Sequence, residues 1–325
     1  MKKVVAIASF VLISLLLLAD FSLAVDLGMM TGGRKGTYYQ FGLNMMELAK
    51  QHGFDLHVHN STGSVENVYA VYKRPKTQMG IVQSDVLAFV LKVKSDATLK
   101  RIARKTKMVF PLYDEEVHLV ARPGINAFDD LEGKRVAIGK EGSGSFLTSK
   151  LLIEVSGVNP KTTVTVGTLE ALSMLKKGEI DAMFYVAGVP VKLFSENIAK
   201  QDNLHLVTIT NKSILEFYPD AVIPTGTYAW QNNDVKTIAV KAVLTSFDFR
   251  RNNCDHVGKF AGVVYNNLGW LRQNGHPKWK SVNLDYPLKG WSQYGCVKKY
   301  INPSDTGSQV KGDVNPLLEA IKEML

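Results

Sequence analysis

The residues of this chain that could do chemistry lie in short loops rich in glycine and serine, each between an apolar strand-like run and a helix-like segment. The first loop is Thr31 to Thr37 (TGGRKGT), which follows the apolar run Leu27 to Met30. Unpaired backbone N–H groups at a helix N-terminus and the positive end of the helix dipole attract carboxylates and other anions. We therefore interpret this loop as an anion-binding turn.

The same order of strand, loop and helix recurs further along the chain. The later loops that follow predicted strands are residues 60–64, 83–85, 140–145 and 187–190. In an open parallel α/β sheet such loops lie along the edge of the sheet where ligands bind. The pattern predicts an α/β fold in which these loops come together.

Other kinds of site have weaker support. The loop GGRKGT lacks the spacing of a Walker motif, no GxGxxG follows a strand, and neither HExxH nor GxSxG occurs at a strand-to-helix turn. His57 and His59 share one face of a predicted strand, which permits metal binding, but no acidic or thiol partner is close enough in sequence to complete a recognisable site. We predict a protein that is not an enzyme and has no cofactor and no metal site. A catalytic triad dispersed along the sequence stays open as an alternative.

Composition and charge limit the partners. The chain has 325 residues, of which 46% are apolar and 21% charged, with a formal net charge of +9. Lysine and arginine are spread along the chain without a dense block, so we expect no nucleic-acid partner. The charge favours solubility, and a basic outer face that docks to a partner is the alternative.

Residues 1–24 have the pattern of a secretory signal peptide. Lys2 and Lys3 form the basic start, Val4 to Ala19 the apolar centre, and Ser22-Leu23-Ala24 a cleavage site of the small-x-small type. This pattern predicts export to the periplasm and no membrane insertion after cleavage. An uncleaved anchor helix is the alternative.

The two cysteines, Cys254 and Cys296, lie in the predicted exported part of the chain. An oxidising compartment favours a disulfide between them, which would close a loop of about 40 residues. Two buried free thiols are the alternative.

The predicted elements also divide the chain into lobes. A second series of strands and helices, from Leu131 to Ile209, has the same organisation as the first, which favours two lobes. We expect lobe 1 to comprise residues 25–120 and 226–325, and lobe 2 residues 121–225. The chain would cross between the lobes twice, near 116–122 and 222–228, and two crossings make a hinge. The later segments predict a strand or edge segment at 236–245, a long helical stretch at 248–272 and a last helix at 316–324.

Five ordered motifs carry a family resemblance: TGGRKGTYYQFG, STGSVENVY, GIVQSDV, GKEGSGSFLTSKLL and GEIDAMFYVAGVP. Over roughly residues 26–245 the chain resembles the TAXI family, the solute receptors of tripartite ATP-independent periplasmic (TRAP) transporters. The resemblance implies a two-lobed periplasmic-binding-protein fold of the type II kind. It also implies closure on a small carboxylate, glutamate-like or a dicarboxylate, and delivery to the membrane subunits of a TRAP permease.

The resemblance also implies which residues bind the ligand. Lobe 1 would contribute Gly33, Thr37, Tyr38, Ser64, Asn67, Gln83 and Ser84, and lobe 2 would contribute Ser143, Gly144, Ser145, Tyr185 and Gly188. For Arg34 and Lys35 we favour a solvated surface position over contact with a ligand carboxylate. Glu66 and Asp85 lie in first helical turns, where we favour a role with the helix dipole over ligand contact.

Two other functions remain open at this point. A sensing module that reports to a membrane receptor would use the same fold, and an adjacent kinase gene in place of a permease gene would favour it. An exported enzyme on the same scaffold would be revealed by turnover of candidate acids.

Overall fold

The computed structural model describes residues 24–86, 97–288 and 290–301. The predicted signal peptide up to residue 23 and the predicted helix at 316–324 lie outside the described residues. Within the described ranges, no helix combines the length and apolarity needed to cross a bilayer.

Ten strands form one mixed sheet in the order β2-β1-β3-β10-β4-β7-β5-β6, with β8 beside β4 and β9 beside β10. Their bounds are β1 Val25–Met30, β2 Phe54–His59, β3 Met79–Gln83, β4 Thr106–Ala121, β5 Arg135–Ala137, β6 Thr162–Val164, β7 Ala182–Ala187, β8 His205–Leu206, β9 Asp220–Ile223 and β10 Val235–Phe247.

Helices cover the sheet and connect its strands. Their bounds are α1 Thr37–Gln51, α2 Ser64–Lys73, α3 Ala97–Lys105, α4 Gly144–Ser156, α5 Thr168–Lys177, α6 Lys192–Asn197, α7 Lys212–Leu215, α8 Asn252–Asn266, α9 Leu268–Asn274 and α10 Gly295–Ile301. Single 3₁₀ turns lie at Phe128–Leu131, Lys200–Asp202 and Pro277–Ser281.

Two long antiparallel strands join the halves of the sheet. β1 pairs in parallel with β2 and β3, and β5 pairs in parallel with β6 and β7. Between these sets, β10 pairs antiparallel with both β3 and β4, and β4 pairs antiparallel with β7. The prediction of an α/β fold with two lobes is confirmed, and β4 and β10 are the two strands that run through both halves.

The apolar core is divided at the same two strands. One large cluster contains Leu27, Phe41 and Trp279 and includes β4 only up to Tyr113 and β10 only from Ala242. Two further clusters begin on β4 at Val117 and Val120, and both include residues of the segment Tyr228 to Val240. That segment therefore packs with the second half of the molecule. The apolar clusters separate between Tyr113 and Val117 and between Val240 and Ala242, whereas the predicted lobe boundaries are at 120/121 and 225/226.

The structure makes two of the later predictions more specific. The segment expected to be a strand or edge segment is the strand β10, which lies in the interior of the sheet between β3 and β4 and is mostly buried. The helical stretch expected at 248–272 consists of two helices, because Asn267 ends α8 and begins α9.

The helices that matter for the site begin at small residues. Ser143 caps α4, because the Phe146 N–H donates to its Oγ at 3.1 Å. α1, α2 and α5 instead begin after Gly36, Gly63 and Gly167, none of which has a side-chain cap. Ser64 and Thr168 are the first residues within their helices.

The C-terminal part of the described chain packs on the first half. Cys254 in α8 and Cys296 in α10 form a disulfide, with their Cα atoms 5.6 Å apart. Val297 of α10 and Trp279 are fully buried in the same cluster as Phe41. The disulfide and this packing hold α10, which ends the described part of the chain, against α8.

Candidate functional site

A cavity of about 300 Å³ lies between the two halves of the molecule. Most of its lining residues are glycine, serine, threonine and tyrosine, which offer N–H and hydroxyl groups without a permanent charge. They are Gly32, Gly33, Gly36, Thr37, Tyr38, Ser61, Thr62, Gly63, Ser64, Gln83, Glu115, Lys140, Ser143, Gly144, Ser145, Gly167, Thr168, Tyr185, Val186 and Ala187.

Four helix N-termini converge on this cavity. The first residues of α1 and α2, Thr37 and Ser64, line it from one half, and those of α4 and α5, Gly144 and Thr168, line it from the other. Each N-terminus presents backbone N–H groups that have no acceptor within the helix and the positive end of a helix dipole. The cavity therefore has the chemistry of an anion-binding site.

Local hydrogen bonds fix the serine hydroxyls of the site. The backbone N–H of Val186 donates to Ser145 Oγ at 3.0 Å, so the Ser145 hydroxyl keeps its own proton as a donor. In the other half, the Gln83 N–H donates to Ser64 Oγ, also at 3.0 Å. Neutral donors of this kind can bind an anion without burying a fixed countercharge in the empty site.

The two halves touch each other around the cavity. Thr37 Oγ1 donates to the Gly188 carbonyl at 2.9 Å, and Lys35 pairs with Glu196 at 3.3 Å on the surface. A Cβ placed on Gly144 would lie 1.9 Å from Gln83 Oε1 and 2.8 Å from Ser64 Oγ. Glycine at residue 144 is thus what lets α4 approach the loops of the first half this closely.

A buried carboxyl joins the halves behind the cavity. Asp85, which follows β3, is 2% exposed, and its Oδ2 accepts hydrogen bonds from Thr148 Oγ1 at 2.7 Å and Tyr218 Oη at 3.3 Å. Both donors belong to the second half. Burial raises the pKa of Asp85 to about 6 against the lowering effect of these hydrogen bonds, and its Oδ1 has no partner in the described structure.

A second buried carboxyl, Glu115, lines the cavity itself. Its side chain is on β4 where the halves meet, and Tyr38 Oη donates to its Oε2 at 2.6 Å. Burial raises the pKa of Glu115 well above its ordinary value. The sequence pattern predicts only a strand at Glu115, because no local motif marks a strand residue whose side chain faces a cavity.

The family model that matches this chain covers residues 29–292 and describes the NMT1-like family. The chain belongs to the NMT1-like family. Two solved structures are similar in fold. One, described as the periplasmic binding protein BugD, has a TM-score of 0.55 and 13% identity over 92% of this chain and 97% of its own. The other, a protein of Bordetella bronchiseptica RB50, has a TM-score of 0.51 and 15% identity over 92% of this chain and 89% of its own. At these identities the similarity shows the fold, and it agrees with the predicted periplasmic-binding-protein architecture.

The structure brings nine of the twelve predicted ligand-binding residues to the cavity. They are Gly33, Thr37, Tyr38, Ser64, Gln83, Ser143, Gly144, Ser145 and Tyr185. The lining also includes residues that the sequence prediction did not name, notably Glu115, Lys140 and Thr168. Lys140 and Thr168 follow predicted strands, so the signal of strand, loop and helix could have found them.

Three predicted residues lie outside the cavity lining. The Asn67 amide donates to the carbonyls of Thr31 and Ile81 and so holds two strand ends together. Ser84 Oγ accepts from the Lys241 N–H on β10, and the Gly188 carbonyl accepts from Thr37. Each of the three is engaged in contacts within the protein.

The structure also shows where the other polar residues considered for ligand or metal binding lie. Arg34 is exposed and does not line the cavity. The Glu66 carboxylate accepts from the backbone N–H and the hydroxyl of Thr62, at 2.8 and 2.7 Å, so it fixes the loop before α2. His57 Nε2 lies near Asp26 and Asp55, and within the described residues no group of three or more His, Cys, Asp or Glu side chains could hold a metal ion.

Replacing Gly144 with alanine tests the close approach of the halves. Because the added Cβ would overlap Gln83 and Ser64, we expect Gly144→Ala to weaken ligand binding by at least about tenfold, or about 1.4 kcal/mol. Titration calorimetry would measure the affinity, and small-angle scattering the compaction with ligand. Gly269→Ala in α9, where nothing lies within 4 Å of the added carbon, is the matched control. If Gly144→Ala binds the ligand as tightly as the wild type does, α4 does not need to approach Gln83 and Ser64 this closely for binding.

The stability of the protein should depend on pH through Asp85. The pKa of Asp85 is about 6 in the folded chain, whereas an unfolded aspartate has a pKa of about 3.9. The folded state therefore holds this proton more tightly, so the stabilisation is complete below pH 4 and is lost as the pH rises through 6.

Asp85→Asn removes this titration. We expect the free energy of unfolding of the variant, relative to the wild type, to rise by on the order of 3 kcal/mol between pH 4 and pH 7. Urea titrations at four pH values would measure the difference. A constant difference across that range would show that Asp85 does not titrate as described.

Proposed function

We propose that this protein is a non-enzymatic, extracytoplasmic solute receptor of the TAXI kind. It closes its two lobes on a small carboxylate, glutamate-like or a dicarboxylate, and delivers it to the membrane subunits of a TRAP permease. The observation that carries the proposal is the convergence of four helix N-termini, two from each half, on one cavity.

The size and lining of the cavity support a small anionic solute. A volume of about 300 Å³ is at the small end of the range for ligand pockets. The lining contains neutral donors from both halves and one lysine, Lys140, which is exposed. A carboxylate could accept hydrogen bonds from both halves at once only when the lobes are closed, so such a ligand would favour the closed state.

Three further observations support the location and the mode of action. The first 24 residues have the pattern of a secretory signal peptide. The chain belongs to the NMT1-like family, and a structure of similar fold is described as a periplasmic binding protein. The strands β4 and β10 run through both halves, and we propose that the lobes move relative to each other about these strands.

A thermal screen tests the proposal on the exported chain. Amino acids and dicarboxylates would be added one at a time, and we expect a subset to raise the melting temperature. At a ligand concentration of 100 times Kd, the stabilisation would be about 2.7 kcal/mol. If neither class of acid raises the melting temperature, the proposed function is wrong.

Two substitutions test the position of the site. Ser145→Ala removes a hydroxyl donor of the second half, and Gln83→Ala removes an amide of the first half. We expect each to weaken binding of the acid found in the screen by roughly tenfold, or about 1.4 kcal/mol. Ser149→Ala is the matched control, since Ser149 is buried one turn further along α4 and its hydroxyl donates to the Ser145 carbonyl. If both test variants bind the acid as tightly as the wild type does, the ligand binds somewhere other than this cavity.

A further inference from the structure

Glu115 is the only carboxyl group among the cavity-lining residues of the described chain. It is 2% exposed, and it lies at the place on β4 where the strand passes from one half to the other. Tyr38, which lines the cavity at the start of α1, donates its hydroxyl to Glu115 Oε2 at 2.6 Å. An acidic group therefore faces the same small space as the four helix N-termini.

The ionisable groups that act on Glu115 come from several of the elements around it. They are Tyr38 of α1, Asp85 after β3, Tyr113 and Glu116 of β4, Tyr185 of β7 and Lys278 of the turn Pro277–Ser281. The cation of this set is already engaged, because Lys278 forms a buried ion pair with Glu116. Among the residues that the structure describes, none forms an ion pair with Glu115.

These surroundings determine the protonation state of the empty site. Burial is the main reason that the pKa of Glu115 is raised well above its ordinary value, and the nearby charges of Asp85 and Glu116 raise it further. The Tyr38 hydrogen bond and Lys278 act in the opposite direction and are weaker than burial. The raised pKa favours the protonated carboxyl group in the empty cavity, and a cation that enters would displace that proton.

We propose that Glu115 binds the protonated amine of a carboxylate ligand and releases its own proton to solvent as that ligand enters. The inference rests on the proposed function, and it narrows the ligand to acids that also carry an amine. The helix N-termini would hold the ligand carboxylate, and Glu115 would supply the negative charge that the amine requires. The charges balance, because one cation enters the site and one proton leaves it.

This exchange has a pH dependence of definite sign. Below the pKa of Glu115, the affinity for an amine-bearing acid should rise about tenfold for each unit of pH, since one proton is released on binding. An acid of the same length without the amine leaves Glu115 protonated. Its binding should release no proton at the same pH.

Titration calorimetry at pH 7 in phosphate and in Tris counts the released protons, because the two buffers differ in ionisation enthalpy. The probes are two matched pairs, L-glutamate with glutarate and L-aspartate with succinate. We expect the amino acid of at least one pair to bind more tightly than its partner and to release protons, and the dicarboxylate to release none. This measurement uses the wild-type protein, so it does not depend on any variant folding.

Glu115→Gln provides the second readout. We expect it to weaken amino acid binding by roughly 30-fold or more, to abolish proton release, and to change dicarboxylate affinity by less than about threefold. Asp114→Asn is the matched control, because Asp114 is the adjacent residue of β4, is half-exposed, and pairs with Lys241 on the surface. We expect this control to keep both the affinity and the proton release.

The outcomes separate the two proposals. Binding of dicarboxylates with no binding of amino acids, or amino acid binding without proton release, would overturn the role of Glu115 and leave the proposed receptor function standing. Absence of binding by both members of both pairs, with no stabilisation by any acid in the thermal screen, would overturn the receptor function as well.

Discussion

The rest of the structure depends on one electrostatic constraint, the meeting of four helix N-termini at one cavity. Apart from the Phe146 N–H, which donates to Ser143, the first N–H groups of these helices have no acceptor within the helix, and their positive dipole ends face each other across a small space. Closing the two halves without an anion would bring like partial charges together. A carboxylate in the cavity would remove that cost, so the constraint couples the proposed ligand to closure. This arrangement also explains why most residues that line the cavity are small. Gly144, for example, allows the N-terminus of α4 to come close to the loops of the first half.

The two long strands β4 and β10 connect the cavity to both halves of the molecule. β4 and β10 pair with each other and extend into both halves of the sheet, and the apolar clusters separate along them between Tyr113 and Val117 and between Val240 and Ala242. Glu115 lies in that short interval of β4. Asp85 lies behind the cavity, where it accepts hydrogen bonds from the second half. Thus Asp85 and Glu115 are both buried at the join between the two halves.

The sequence allowed much of the fold and nine of the cavity-lining residues to be predicted, because the informative signals are local. The loop at Lys140 to Ser145 is marked by its own glycines and serines, and the strand before it by its apolar run. Glu115 could not be found this way, since its burial results from β4 passing between two lobes, which is a tertiary effect. The same reason explains β10, whose interior position depends on pairing with β3 and β4, which are distant in sequence. Asn67 was expected at the ligand, but the backbone carbonyls beside it are its partners.

A crystal structure of the protein with the tightest-binding acid from the thermal screen would show directly whether the four helix N-termini bind the ligand. We expect one carboxylate in the cavity, with its oxygens within about 3 Å of N–H or hydroxyl donors from α1 or α2 in one half and from α4 or α5 in the other. A ligand bound to one half alone, or outside the space between the four helix N-termini, would contradict this expectation.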